Sequence, residues 1–367
     1  MSRGLRAAGL AIAALGASAC PREVPPPPFD LTVAYEAAVA TLDPREAVDT
    51  VSHAVLANVY ESLVDFDDEM SLRPLLAVSW TTPEPGLWVF RLREGVRDHD
   101  GRPLVAEDVA LALEAARGEG SPLHDRLGTV TRVETAGPAE VRLRTGQSDP
   151  LLAYRLATVL IAPPTGTPGR PLPGTGPYRF VRSGEGGVEV EAFAGYWGGR
   201  PAVRRARFVH VTPGAGTTAT IRQEGIDLLR YVPEAHADEA SALPGYRLVE
   251  GASLRALYAW IDSRPAPAPS RNPFADRRVR RAISLAIDRA ELVARLRGHA
   301  LALSQLVPPG IIGHEAGEPM PGPEPSAAQR LVAEAGFERG IETSLAFVGG
   351  LEPFAESIRD DLALAGI

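Results

Sequence analysis

The chain has 367 residues, 45% hydrophobic and 23% charged, which is long enough for two domains and a sizeable core. Its net charge of −8 argues against nucleic acid or an anionic membrane surface as a partner. The single cysteine, Cys20, excludes an intramolecular disulfide and a zinc site built on several thiolates. The seven histidines are scattered, with no HExxH and no close pair on one helix face. Neither a metal site nor a cofactor is expected.

Residues 1–20, MSRGLRAAGLAIAALGASAC, have the layout of an export signal. Arg3 and Arg6 give a positive start, and Ala7 to Leu15 is an apolar run too short to span a bilayer. Ala17-Ser18-Ala19-Cys20 ends it like a lipobox, although Leu15 stands two places earlier than usual. Three readings of Cys20 stay open: lipid acceptor, neighbour of an ordinary cleavage site, or plain thiol. The first is preferred, because a proline-rich tether at 21–28 follows directly and no other use for the cysteine is evident.

Leu31 to Tyr35 reads as a buried strand, followed by the turn Thr41-Leu42-Asp43-Pro44. Asp49 to Leu63 carries Val51, Val55, Val59 and Leu63 on one helical stripe. Residues 87–93 alternate as a half-buried strand with Trp88, Phe90 and Leu92 inward. Asp98 to Gly101 is a turn, and Ala106 opens a helix to Arg117 whose cap position holds Val105, a residue unable to cap. His99 lies in that polar turn and is read as structural. Glu140 to Thr145 is a strand, Leu151 to Ile161 a helix and 162–173 a linker. Gly174-Thr175-Gly176-Pro177-Tyr178 lacks the third glycine of a phosphate cradle and reads as a tight strand entry.

Leu257 to Ile261 is a further strand candidate, and 263–270 a Pro/Ala linker. Asn272 to Gly298 is a helix pair, with Asp276 capping the first helix, Asp288 and Glu291 forming a capping box, and Gly298 as the stop. The run Arg277, Arg278, Arg280, Arg281 is a solvated face. Ser326 to Gly336 and Phe354 to Gly366 are helices, and Leu345 to Phe347 a strand. Paired acids such as Asp67-Asp68 and Asp360-Asp361 read as solvated charge. No G-x-S-x-G elbow, HExxH or P-loop is present, so no enzyme is expected.

Several stretches together resemble the solute-binding proteins of bacterial ABC importers, family 5, the peptide and nickel class. They are Thr41 to Pro44, Tyr60-Glu61-Ser62-Leu63-Val64, and Leu72 to Trp80. Phe90 to Arg93, Gly95-Val96, Asp100-Gly101, Pro103 and Ala106 to Val109 follow in the same order. Gly174 to Tyr178, Tyr196-Trp197-Gly198 and Glu224 to Asp227 come next, the last with glycine and glutamate exchanged. Pro273 to Ile283 with Ala286 to Arg289 completes the set.

The resemblance implies an α/β, two-lobed periplasmic-binding-protein-like clamshell of class II type, with an extra subdomain in lobe 1. Lobe 1 would take residues 29–45 and 171–255, the extra subdomain 46–170, and lobe 2 residues 256–367. The implied function is a lipid-anchored receptor at the cell surface or in the periplasm. It would capture a peptide or other small solute between the lobes and deliver it to ABC permease subunits. It would be a monomer that touches the membrane through its lipid alone and binds no nucleic acid. The alternatives are a binding-dead or regulatory relative and a secreted hydrolase.

Family members continue past the segment matched by Ala365-Gly366-Ile367 and carry a W-x-x-D-Y-x-D-P-like motif that this sequence lacks. The second lobe is therefore expected to be incomplete, and residues 29–367 marginally stable and weak at binding. Tyr35, Glu36, Thr175, Gly176 and Trp260 are the candidates for lining the inter-lobe cleft, from their positions at strand ends and a tight glycine loop. For Tyr35 and Trp260 the competing reading is a plain core aromatic.

Overall fold

The computed structural model describes residues 29–163, 171–212, 221, 225–233, 236–251, 253–267, 270–296, 300–315, 317, 320, 322–347 and 351–367. The signal-like start, Cys20, the tether and Gly298 lie outside the described residues.

The chain opens on β1 (Leu31–Tyr35), whose residues from Thr32 onward are buried. Val33 and Tyr35 join one core and Ala34 another, so this strand is covered on both faces and reads as a continuous apolar run. It is the second strand of a five-stranded sheet ordered β11-β1-β10-β9-β8. There β10 (Arg205–His210) and β11 (Leu228–Leu229) run parallel to β1, while β8 (Tyr178–Gly184) and β9 (Gly187–Ala192) form an antiparallel hairpin beside β10. Asp227 pins the short β11: its N–H donates to the Thr32 carbonyl at 2.9 Å, and its carboxylate accepts from the Thr32 N–H at 2.7 Å.

Helix α1 (Thr50–Leu56) packs on this sheet. Asp49 caps it by accepting from the Ser52 N–H at 2.8 Å. The helix stops at Leu56 instead of running to Leu63 as the stripe suggested. The Asn58 side chain caps its end by donating to the Ala54 and Val55 carbonyls. The next residues turn their own carbonyls outward, toward the loop before β8.

Beyond that point a second core begins. It is built on the hairpin β2 (Val64–Phe66) and β3 (Leu72–Pro74) and on an antiparallel sheet ordered β4-β5-β7-β6. That sheet comprises β4 (Ala77–Glu84), β5 (Leu87–Leu92), β6 (Val130–Thr135) and β7 (Glu140–Thr145). Trp88, Phe90 and Leu92 point inward against α2 (Ala106–Arg117), as their alternation predicts. The Asp108 carboxylate accepts from the Val105 N–H at 3.3 Å, which leaves the valine cap only half compensated. Helices α3 (His124–Leu127) and α4 (Leu152–Leu156) close this core. The sequence suggested a helix to Ile161, but Ile161 is extended because it bridges Glu61.

Packing thus divides between Tyr60 and Leu63 on the way out and at Ile161 on the way back. After β11 the short α5 (Ala237–Ser241) follows. A third core is helical, with α6 (Arg277–Ala286), α7 (Arg289–Arg295), α8 (Pro325–Glu334) and α9 (Glu352–Leu364). Val279, Ala282, Ala286, Ala328, Val332 and Ala365 meet there. Asp276 caps α6 as expected, accepting from the Arg278 N–H at 2.9 Å.

The capping box of α7 is half formed. Asp288 accepts from the Glu291 N–H at 3.0 Å, but its own N–H donates to the Asp361 carboxylate at 2.9 Å. Glu291 is taken by Arg295 at 2.7 Å. The expected strands at Leu257–Ile261 and Leu345–Phe347 are not strands. A strand needs a neighbour to take up its ladder hydrogen bonds, and among the described residues no strand pairs with either segment.

Candidate functional site

The three parallel strands end together at Tyr35, His210 and Leu229. In open α/β sheets the carboxyl edge of parallel strands is where ligands are held, because backbone groups and loops converge there. The ladder continues past the strand ends: the Val211 N–H donates to the Tyr35 carbonyl at 2.9 Å, and the Arg230 N–H to the Ala34 carbonyl at 3.0 Å.

Glu36 and Arg230 therefore sit side by side, each the first residue beyond its strand. Arg230 Nη2 lies 3.4 Å from Glu36 Oε1, and the guanidinium carbon is 5.5 Å from the centre of the Tyr35 ring. Glu36 Oε2 is buried and has no hydrogen-bond partner among the described residues. One residue on, Tyr231 carries the Arg255 guanidinium 4.9 Å from its ring centre. The edge thus offers a carboxylate with unused accepting capacity, two guanidinium groups and two aromatic rings. Such a set can hold a small polar solute bearing both donors and acceptors.

Around Tyr35 lies an open cleft of 660 Å³, bounded by residues 37–42, the hairpin turn 183–186 and the end of β10 at His210. The Tyr35 ring packs against Phe208 at 6.2 Å, and burial raises its phenol pKa. Its ring is therefore mostly core, with one edge on the cleft.

Thr175 and Gly176 go elsewhere. Their loop is pinned under the exit of α1: the Gly176 N–H donates to the Val59 carbonyl at 2.9 Å, and the Tyr178 N–H to the Asn58 carbonyl at 3.0 Å. Both glycines of this loop are required by space. A Cβ at Gly174 would stand 1.9 Å from the Val59 oxygen, and one at Gly176 would stand 2.7 Å from the Val59 carbonyl carbon.

His99 clamps the same loop. Its Nδ1 accepts from the Gly174 N–H at 3.2 Å, so Nε2 carries the proton and donates to the Gly176 carbonyl at 3.0 Å. Burial lowers its pKa and keeps the ring neutral, which agrees with a structural role. Thr175 is buried beside the Glu61 carboxylate, and neither Thr175 nor Gly176 lines the cleft.

Trp260 is 85% exposed, with the Tyr258 ring at 6.4 Å, so it is not a core aromatic. Of the five sequence candidates Tyr35 borders this cleft, Glu36 meets Arg230 at the strand ends without lining it, and the other three lie elsewhere. Sequence reading missed Arg230 and Tyr231. A signal was available: a polar pair following the apolar Leu228-Leu229 mirrors Tyr35-Glu36 at the end of β1. Among the described residues no three His, Cys, Asp or Glu side chains gather into a metal-binding group.

The family model for bacterial extracellular solute-binding proteins, family 5 middle, matches residues 71–367. The chain belongs to this family. Named relatives are similar over most of the chain. The glutathione-binding protein GsiB of Escherichia coli K12 is 29% identical over 360 residues, covering 93% of this chain and 67% of its own length. GsiB of Salmonella typhi is 30% identical over 333 residues, covering 86% of this chain and 63% of its own length.

Solved structures share the fold. NikZ from Campylobacter jejuni, in complex with Ni(L-His), superposes with a TM-score of 0.77 at 22% identity, covering 92% of this chain and 72% of NikZ. The oligopeptide-binding protein AppA from Bacillus subtilis, in complex with a nonapeptide, gives 0.74 at 19% identity, covering 92% and 73%. The architecture is therefore the two-lobed α/β fold of periplasmic binding proteins. Family 5 proteins are solute-binding proteins and not enzymes, and the chain is placed among them on that footing.

Proposed function

We propose that the protein is the lipid-anchored receptor of an ABC importer, holding a peptide or peptide-like solute between two lobes for delivery to the permease. The observation that carries this reading is the group at the carboxyl edge of β1 and β11. There Arg230 sets a guanidinium beside the Glu36 carboxylate and the Tyr35 ring. A peptide offers both charges and amide groups, and these match that mixed set. The glutathione of GsiB and the nonapeptide of AppA are of the same chemical kind.

In this reading lobe 1 holds the five-stranded sheet, with the β4–β7 sheet as its extra subdomain and the chain from Ala256 as lobe 2. Closure of the lobes on the solute would drive docking on the permease, since a ligand shifts only the state it contacts better. Cys20 would carry the lipid.

Thermal shift of the full chain against glutathione, di- to nonapeptides and nickel–histidine should give stabilisation by one peptide class, rising with its concentration. No shift with any of these solutes would count against the receptor reading. For location, Cys20→Ser should release the protein from the membrane fraction, and unchanged retention would remove the anchor.

A further inference from the structure

The chain crosses from the first core to the second at Glu61 and returns at Ile161, whose N–H donates to the Glu61 carbonyl at 2.8 Å. The Glu61 side chain is buried at this crossing, with 3% of the residue exposed. Its carboxylate is gripped by the turn after β9. Trp197 Nε1 lies 3.1 Å from both oxygens, and the Tyr196 hydroxyl donates to Oε1 at 3.1 Å. Trp197 in turn packs against the second core, although its segment belongs to the first body. The Thr175 hydroxyl is buried close by without a well-aligned hydrogen bond.

All of these donors are neutral. The cation acting on the site is Arg93 at the end of β5, and it is engaged elsewhere. Its guanidinium lies 3.9 Å over the Trp197 ring, and its Nε donates to the Leu75 carbonyl at 3.0 Å. Arg73, which acts on Tyr196, is paired with Asp65 at 2.5 Å. Among the described residues no ion pair is formed by Glu61.

We propose that Glu61 is a proton-sensitive clasp between the two packed bodies: its carboxyl ties the Tyr196-Trp197 turn to the crossing, and uptake of a proton stabilises the folded chain by removing a buried charge. A carboxylate withdrawn from water without a paired cation is disfavoured in its charged form. The protonated form keeps an oxygen to accept from Tyr196 or Trp197 and loses the cost of the buried charge. Burial accordingly raises the Glu61 pKa, and the hydrogen bonds from Trp197, Thr175 and Tyr196 offset this only in part.

The stability this contributes is fully present below the ordinary value of 4.5 and is lost as pH rises through the raised folded value. His53 and His99 act in the opposite sense. Burial lowers both, so the stability they carry is present above the ordinary value of 6.5 and is lost as pH falls. The whole-protein pH curve therefore masks the clasp, and a comparison with a variant uncovers it.

The test is urea unfolding of the full chain and of Glu61→Gln from about pH 8 to about pH 5. Glutamine keeps the shape and removes the titration. The ratio of folding constants, variant over wild type, should be largest at the high end and shrink as the wild type takes up its proton. A ratio that is flat or grows on acidification would overturn the proposal.

A second readout covers a variant that fails to fold. The Trp197 indole N–H resonance of the wild type, assigned by its absence in Trp197→Phe, should titrate with a midpoint above 4.5, the ordinary carboxylate value. A midpoint at or below that value would overturn the proposal equally.

Discussion

Gly174→Ala should destabilise the protein by about 3 kcal/mol or more, the upper end of the range for overpacking. The new methyl would stand 1.9 Å from the Val59 oxygen, and that atom is backbone, so no flexible side chain can swing aside. Relief requires the loop to leave the exit of α1. That breaks the Gly176-to-Val59 and Tyr178-to-Asn58 hydrogen bonds and unseats His99. The control is Gly186→Ala in the hairpin turn, where nothing lies within 4 Å of the added carbon. Its change should stay within about 0.5 kcal/mol, as for ordinary surface substitutions. Denaturant midpoints of both variants decide. A Gly174→Ala protein within about 1 kcal/mol of wild type would mean that this loop is not wedged as described.

Arg230→Ala should weaken solute binding by about tenfold to a hundredfold, with little loss of stability. A hydrogen bond to a charged group contributes roughly 1.5–3 kcal/mol, which converts to that range of affinity. The Arg230 side chain is 34% exposed and its ion pair with Glu36 is long at 3.4 Å, so the folded state depends on it weakly. Arg230→Lys should recover only part of the affinity, because an ammonium keeps the charge and loses the planar fork. Calorimetric titration with the best solute from the thermal-shift panel measures both. Unchanged affinity in a cooperatively folding Arg230→Ala would take the residue out of the site.

Much of the fold was legible because its signals are local. The alternation of Trp88, Phe90 and Leu92, the helix Ala106 to Arg117 and the Asp276 cap each depend on neighbours in sequence, and each is found. The misreadings arise where a distant partner decides. Val59 and Leu63 continue the apolar stripe of α1, yet they enter different cores, because Asn58 and Val59 must turn their carbonyls to the loop before β8. Ile161 leaves its helix to pair with Glu61, 100 residues earlier. Leu257–Ile261 has the composition of a strand and no strand beside it.

The candidate site follows the same rule. Tyr35-Glu36 is a candidate from the end of a readable strand, whereas Arg230 joins it only once β11 is laid parallel to β1. Glu61 lay inside a recognised motif, but its partners Tyr196 and Trp197 are 135 and 136 residues away.

Amide hydrogen exchange of the full chain, with and without a saturating solute from the panel, tests the placement of the site most directly. The expected result is slowed exchange in the peptides covering residues 34–42 and 228–233, at the carboxyl ends of β1 and β11, with the β4–β7 sheet unchanged. Saturable binding that leaves both of those segments unprotected would contradict the assignment of the solute site to this edge.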